Sequence, residues 1–439
     1  MEKKISPNLT LFALAINAFA IGSTEFISVG LLPMIVKSFH ISLSQAGLTV
    51  SLYALGVTIG APLLTILTGK WNRRSLMLGI MLLFISGNLI AAFAPTFIIL
   101  LVGRILSALA HGIFMSVSTV IAADVVPPSR RASAIAIMFT GLTVATVTGV
   151  PLGTFIGQQT AWHMSFLFIA SIGLVGLIAS YFLVPKNLPI PGKVDLKGIT
   201  RIFTNKPLVL SFLITAFGYG GTFAAYTYLS PLLENLGFSA NAVVIILVVY
   251  GVMVAIGNTV GGHWANKKPL DSLVKMFSLL ILSLVFLFIT VLMDNSLLGL
   301  LASLMLGLFA FMNVPGLQLY VVELAEKYVP EDITLASAFN IAAFNIGITV
   351  GSMTGGVVTD HLSVTYTPIF GGFIVLIAVL FVLYIRKQEE QKTTIFRKLK
   401  KAAGHYGTDQ LLFFKLFCGN NSSKQLKQLL IRLTRKSEK

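Results

Sequence analysis

The sequence predicts an all-α polytopic membrane protein, with twelve transmembrane helices arranged as two six-helix pseudo-repeats. Three observations carry that expectation. Of 439 residues, 56% are hydrophobic and 11% charged, whereas soluble globular domains carry about 25% charged residues. Apolar windows of the roughly 20 residues that a bilayer crossing needs recur twelve times. Motifs of the first half also return in the second at a nearly constant offset.

The windows cover residues 8–36, 44–68, 75–94, 96–122, 133–157, 162–184, 208–233, 241–264, 271–293, 296–322, 333–359 and 365–385. None shows the ten-residue alternation of a membrane β-barrel. The first is too long in its apolar part for a cleaved signal peptide, and no small-residue cleavage site precedes a soluble region. The single cysteine, Cys418, excludes an internal disulfide framework and a multi-cysteine metal site. With no phosphate-binding glycine loop, HExxH or clustered ligand set, neither enzyme chemistry nor a metal or cofactor is expected. No soluble stretch is long enough for the nucleotide-binding domain of an ATP-driven pump.

A net charge of +16 invites a nucleic-acid reading, which the placement of the charges opposes. Lys3 and Lys4 precede the first segment, Lys70, Arg73 and Arg74 follow the second, and Arg130 and Arg131 follow the fourth. Lys186, Lys193, Lys197, Arg201 and Lys206 fill the central loop, Lys267 and Lys268 follow the eighth segment, and Lys327 follows the tenth. All fall on one side of a chain that crosses twelve times. The opposite loops offer mainly Lys37, Glu234, Asp294 and Asp360. The positive-inside rule then predicts cytoplasmic termini in a bacterial-type inner membrane.

The repeat reads directly. "GSTEFISVGLLP" (22–33) aligns with "GGTFAAYTYLSP" (220–231) at an offset of 198 (220 − 22), and "GVPLG" (149–153) with "GSMTG" (351–355) at 202 (351 − 149). "RRSLM" and "KKPLD" occupy matching loops. The expected organisation is a first half (1–185), a linker (186–207), a second half (208–387) and a basic tail (388–439). Parallel repeats of this kind build secondary transporters whose substrate site lies near the midplane between the halves.

Together with "YALGVTIGAPLL", "GRILSALAHG", "VPPSRRASAIAIMF" and "GLTVATVTGVPLG", these features resemble the major facilitator superfamily over nearly all of residues 6–387. Within it they look like the drug:proton antiporter branch, and more narrowly its arabinose-efflux-permease and chloramphenicol-exporter relatives. The resemblance implies proton-coupled efflux of a small organic molecule by alternating access, with the substrate, protons and the bilayer as partners and a monomeric chain. Export of a sugar, nucleoside or other metabolite, lipid flipping, and a non-transporting membrane sensor are the alternatives.

Candidate residues follow segment by segment. The first segment holds one acid, Glu25, where a charge costs about 2.5–3.5 kcal/mol, so it is expected to face the bundle interior and carry a proton. Its repeat counterpart is Phe223 (223 − 25 = 198), so the fold itself does not demand an acid. The plainer reading is a structural carboxyl bonded to Ser23, Thr24 or a neighbouring helix. Loop "LTGKWNRRSL" occupies the place of the superfamily's gating motif; Arg73 and Arg74 match its closing arginines, while Gly69 stands where the motif has Asp. Asp124 is their expected partner, and Lys267 and Lys268 with Glu323 repeat the arrangement 199 residues on (323 − 124). Purely topogenic charge is the alternative.

In the fourth segment Arg104 and His111 are seven residues apart, about two turns, and share a face. The resemblance implies a proton-transfer role for Arg104. Placed nearer the outer end than Glu25, it would otherwise be a snorkelling arginine, and His111 a packed residue. The fifth segment carries Gly149, Pro151, Gly153 and Gly157, which suit close packing and a hinge. Asn17, Tyr53, Tyr219, Tyr226, Asn313, Gln318, Asn340 and Asn345 are the candidate substrate lining; helix-to-helix hydrogen bonding would also explain the amides. Residues 386–439, the tail with the two residues before it, hold a net +10 (14 basic, 4 acidic). Its apolar faces suit anionic lipid, and Cys418 is a weak palmitoylation candidate.

Overall fold

A computed structural model describes residues 6–68, 71–127, 130–188, 196–265 and 269–403. Lys267, Lys268, Cys418 and the apolar stretches of the tail lie outside them. The described chain is helical and without strands: α1 (Pro7–Phe39), α2 (Leu43–Thr68), α3 (Arg73–Ala92), α4 (Phe97–Asp124), α5 (Arg131–Val144), α6 (Val150–Gln159), α7 (Trp162–Leu183), α8 (Leu196–Thr204), α9 (Lys206–Tyr226), α10 (Leu229–Asn235), α11 (Ala240–Ala265), α12 (Pro269–Leu292), α13 (Ser296–Ala310), α14 (Val314–Tyr328), α15 (Ile333–His361) and α16 (Thr367–Ala403). Twelve spans among the described residues are long and apolar enough to cross a membrane. Side chains such as Phe93, Ile98 and Leu297 stay exposed, as a lipid-facing surface requires.

Local chemistry sets the helix ends. Asn72, Thr96, Asn205 and Asn295 accept main-chain N–H bonds at the starts of α3, α4, α9 and α13, satisfying donors that have no partner within the helix. Gly237 follows α10 with φ +85°, a conformation open to glycine without steric cost.

Three expected spans are built differently. The seventh is broken between α9 and α10, and the tenth between α13 and α14. Pro231 and Pro315 stand near the starts of α10 and α14. Each lacks an N–H, and its ring conflicts with the carbonyl four residues back, Thr227 or Phe311. The fifth contains a π-helical turn at Ala145–Gly149 between α5 and α6, just ahead of Pro151, whose missing N–H releases one rung of the ladder.

Among the described residues, those up to 379 form one compact unit and those from 380 on a second. In the first, α1 packs on α5, α6 and α7, and α15 packs along both α9 and α2. Small residues make these contacts close. A Cβ on Gly141 would meet the Ala15 carbonyl at 2.1 Å, and one on Gly153 would meet Ile27 Cδ1 at 2.3 Å. Positions 149, 153 and 157 meet Ser23, Ile27 and Leu31 in turn, so α1 and α6 run parallel with matched four-residue spacing. The second half repeats the device: a Cβ on Gly351 would lie 2.0 Å from the Gly220 carbonyl. In the second unit α16 stays helical to Ala403, past the expected end at 385, and Arg386 Nε donates to Glu390 at 3.0 Å, one turn on.

Candidate functional site

Glu25 lies fourteen residues from the C-terminal end of α1 (39 − 25) and is half-buried. Around it α1, α2 and α4 converge on Arg104, which is fully buried. Its Nε donates to the Thr49 carbonyl (3.0 Å), Nη1 to the Thr24 carbonyl (2.6 Å) and Nη2 to the Glu25 carbonyl (3.2 Å). Its guanidinium carbon sits 4.1 Å from the centre of the Tyr53 ring. The snorkelling alternative is therefore corrected. Arg104 is level with Glu25, held in the interior because three carbonyls and an aromatic face replace its hydration.

The network continues to His111, whose Nδ1 is 3.1 Å from the Tyr53 hydroxyl; the tautomer decides which atom donates. Thr24 Oγ1 donates to Asn88 Oδ1 at 2.6 Å, so this hydroxyl is engaged away from the acid. Ser23 Oγ donates to its own helix, at the Phe19 carbonyl. Among the described residues the Glu25 carboxylate accepts no hydrogen bond. It lies within electrostatic reach of Arg104, Tyr53, Tyr219 and Tyr226.

Aromatic rings from the second half gather around Phe26. Phe26, next to Glu25, meets Phe223 at 5.7 Å, Tyr226 at 5.9 Å and Phe311 at 6.2 Å between centroids. Tyr219 packs edge-on against Phe311 (5.4 Å) and Phe344 (4.9 Å). Tyr226 stacks on Tyr250 at 5.1 Å and 9°, and the Tyr250 hydroxyl has no partner. Phe26, Phe311 and Tyr250 were not legible as site residues, since single aromatics in apolar helices are the rule; Phe223 stood out only as the repeat counterpart of Glu25.

The candidate amides are arranged otherwise. Asn17 Nδ2 donates to Ser180 Oγ at 2.6 Å, and its Oδ1 would lie 2.0 Å from a Cβ on Gly176; it joins α1 to α7. Asn340 accepts from Thr215 Oγ1 (2.7 Å) and donates to Gln318 Oε1 (2.8 Å), and Gln318 Nε2 donates to Ser337 Oγ (2.5 Å). This ladder ties α9, α14 and α15 together. Asn313 and Asn345 donate to Ala310 and Ile341 carbonyls of the local chain, each leaving a buried Oδ1 unpartnered.

At the basic end, Arg73 Nη1 donates to the Asp124 carboxylate. Arg74 instead donates to the Tyr181 carbonyl and lies over the Tyr181 ring, 5.1 Å away. Glu323 is exposed. A second ion pair joins the linker helix α8 to the turn before α15: Arg201 Nε and Nη2 donate to Asp332 at 2.7 and 2.9 Å. The sequence alone reads Arg201 only as topogenic charge, because its partner lies 131 residues on. Gly149 and Pro151 flank the end of the π-turn, against Ser23, and a Cβ on Gly251 of α11 would meet the Thr146 carbonyl at 2.8 Å. The π-turn and the contact with α11 thus coincide.

Residues 14–330 match the sequence profile of the Major Facilitator Superfamily. The chain belongs to that superfamily. It is a membrane transporter of the major facilitator type, embedded in the bilayer. It is 52% identical over 382 residues to the "Uncharacterized MFS-type transporter YtbD" of Bacillus subtilis (strain 168), covering 87% of this chain and 96% of that one. It is 37% identical over 386 residues to the "Inner membrane transport protein YdhP" of Escherichia coli (strain K12), covering 87% and 97%. In fold this transporter is similar to a D-xylose–proton symporter (TM-score 0.71, 15% identity, 85% and 97% covered). It is also similar to a bacterial homologue of the human lysosomal transporter Spinster in an inward-facing, occupied conformation (0.68, 17%, 86% and 96%).

Proposed function

We infer that this transporter exports a small organic molecule, such as a drug, across the bacterial cell membrane in exchange for entering protons. Residues 1–185 and 208–387 act as two halves rocking about a midplane site, with 186–207 as the linker, both termini cytoplasmic and the chain monomeric. The observation that carries the reading is Glu25. It is the acid farthest from any span end among the described residues, half-buried, and free of hydrogen bonds to its carboxylate in a site where each Arg104 nitrogen donates to a main-chain carbonyl. A carboxyl so placed loads a proton on one side and releases it on the other. Arg104 fixes α1 against α2 and α4, and Tyr53 links it to His111. Arg73 with Asp124 holds the basic end closed, and the π-turn beside Pro151 supplies the bend.

The test is reconstitution in liposomes with an internal pH dye. The parent is expected to drive uphill efflux with proton influx. Glu25→Gln keeps shape and hydrogen bonding but cannot titrate, and is expected to insert, bind substrate and lose uphill efflux. Pumping by Glu25→Gln equal to the parent would remove Glu25 as the proton carrier.

A further inference from the structure

The last helix runs on past the membrane, and the chain beyond it carries more net positive charge than the rest of the molecule. Between residues 395 and 439 eleven basic side chains stand against Asp409 and Glu438, a net +9 (11 − 2) of the total +16. We propose that this segment is a docking surface for anionic phospholipid at the membrane face where the twelfth span ends. The proposal concerns the tail and does not rest on the export reading.

Position is the first ground. The twelfth span ends at Gln388, yet α16 continues for fifteen residues to Ala403 (403 − 388). Among the described residues, those from 380 on form a unit of their own. The 382 residues shared with the Bacillus subtilis transporter cover 96% of that protein and leave 57 of this chain over (439 − 382). Only six residues precede α1, so most of the surplus is tail. A twelve-span bundle of this kind is complete without it.

Pattern is the second ground. Beyond the span, α16 first reads QEEQKTT (388–394), with no apolar residue, and then IFRKLKKAA (395–403). At about 100° per residue, Ile395, Phe396, Leu399, Ala402 and Ala403 share one arc, while Arg397, Lys398, Lys400 and Lys401 fall on the opposite side. Outside the described residues the sequence repeats the pattern. Leu426, Leu429, Leu430 and Leu433 recur at the spacing of one helix face, among Lys424, Lys427, Arg432 and Arg435. A straight continuation would carry Ala403 about 22 Å from the end of the span. The polar stretch has no apolar side chain to anchor it and ends in two β-branched threonines, so the bend that lays the amphipathic turns down belongs there.

The two faces together choose the partner. Duplex nucleic acid would neutralise the basic side chains and leave Ile395, Phe396 and Leu399 against water. A second tail would cover the apolar face and bring like charges together. An anionic bilayer takes both, with acyl chains under the apolar face and phosphates around the basic one.

The test places a fluorophore sensitive to its surroundings, nitrobenzoxadiazole, on the full-length protein. One sample carries it at Ala402→Cys with Cys418→Ser, another at Cys418, the single native cysteine. Nanodiscs contain phosphatidylcholine alone, or phosphatidylcholine and phosphatidylglycerol in equal parts. Blue-shifted emission, quenched by nitroxide-bearing acyl chains, is expected at both sites in the anionic discs and at neither in the neutral ones. Each basic residue strengthens binding to an anionic surface about fivefold, so replacing Arg397, Lys398, Lys400 and Lys401 by Gln is expected to lower the docked-to-free ratio at least about a hundredfold. Phe396→Ser with Leu399→Ser keeps every charge and is expected to abolish quenching of the label at 402. Truncation after Lys387 is expected to leave the thermal midpoint of the bundle unchanged, so these losses report the tail and not unfolding.

Equal emission in neutral and anionic discs, or docking undiminished by either set of substitutions, overturns the proposal. So does a lower midpoint on truncation, which would place the tail against the bundle. A shift produced by duplex DNA in neutral discs and not by phosphatidylglycerol would assign the basic surface to nucleic acid. One that appears only in discs holding two copies would assign it to self-association. None of these outcomes reads proton movement, which tests the export reading separately.

Discussion

At the scale of single residues, Arg104 is the most deeply buried basic side chain among the described residues. It makes three charge-assisted hydrogen bonds to carbonyls of α1 and α2 with no exposed surface. Hydrogen bonds to a charged group contribute about 1.5–3 kcal/mol each. Arg104→Gln is therefore expected to cost on the order of 3 kcal/mol, read as a lower thermal midpoint in detergent. Arg104→Lys is expected to recover little, since an ammonium cannot fork to three carbonyls at these positions; a midpoint equal to the parent's would contradict this. Asn17 makes the opposite case. Its bond to Ser180 lies inside the α1–α7 contact, where membrane interhelical hydrogen bonds average about 0.6 kcal/mol. Asn17→Ala is expected to lower stability by about that amount and leave substrate affinity unchanged, and a changed affinity would return Asn17 to the lining.

Among elements, the parallel helix pairs are the most sensitive parts. The Gly220 carbonyl occupies the space that a methyl on Gly351 would need, and a helical main chain cannot give way by 1 Å or more. Gly351→Ala is expected to separate α9 from α15 at a cost of about 1–3 kcal/mol, seen as reduced yield of folded protein and a lower midpoint. The linker helix α8 behaves differently because an ion pair holds it. The guanidinium of Arg201 keeps the Asp332 carboxyl below the ordinary carboxylate range. A depressed folded-state pKa stabilises above the unfolded value, about 3.9, and that stabilisation is lost as pH falls through the folded one. A spin label at exposed Thr200 is thus expected to stay immobile at neutral pH and gain mobility only below about pH 4. Asp332→Asn is expected to show the mobile spectrum at every pH.

For the whole molecule, the two ends of the bundle differ. Where α1 turns into α2, the halves meet: a Cβ on Gly356 would lie 2.8 Å from Ser44 Oγ, and Gln158 Nε2 donates to the Ala240 carbonyl at 3.1 Å. Along the same pair of helices Thr349 Oγ1 donates to the Ser51 carbonyl at 3.2 Å. Under alternating access this seam opens in every cycle. A Ser44→Cys/Gly356→Cys pair, with Cys418 replaced, is expected to form a disulfide that stops transport and to recover with reductant. Transport by the cross-linked protein would exclude opening at this seam. At the basic end Arg73 and Asp124 are only partly shielded, with side-chain exposures of 10% and 22%, so their pair is worth about 1 kcal/mol or less. Asp124→Asn is expected to raise cysteine-probe access from that end modestly, without unfolding the protein.

Composition, twelve apolar windows and a doubled motif set were enough to determine the helical membrane class, because a bilayer leaves a chain no other way to pair its backbone over such lengths. Glu25 was legible for the same reason: a mid-span acid stands out against lipid. The breaks before Pro231 and Pro315 were readable in principle from proline chemistry, yet hydropathy windows run across them, since a broken helix keeps its apolar composition. Tertiary structure decided the rest. It brought Arg104 level with Glu25, because a long side chain reaches a depth that its Cα does not report. It paired Arg201 with Asp332 across 131 residues, engaged Asn17, Gln318 and Asn340 in helix contacts, and gathered rings from both halves around Phe26. Those outcomes depend on which helix faces meet, and the polar or aromatic identity of a residue is silent on that until its neighbours are in place.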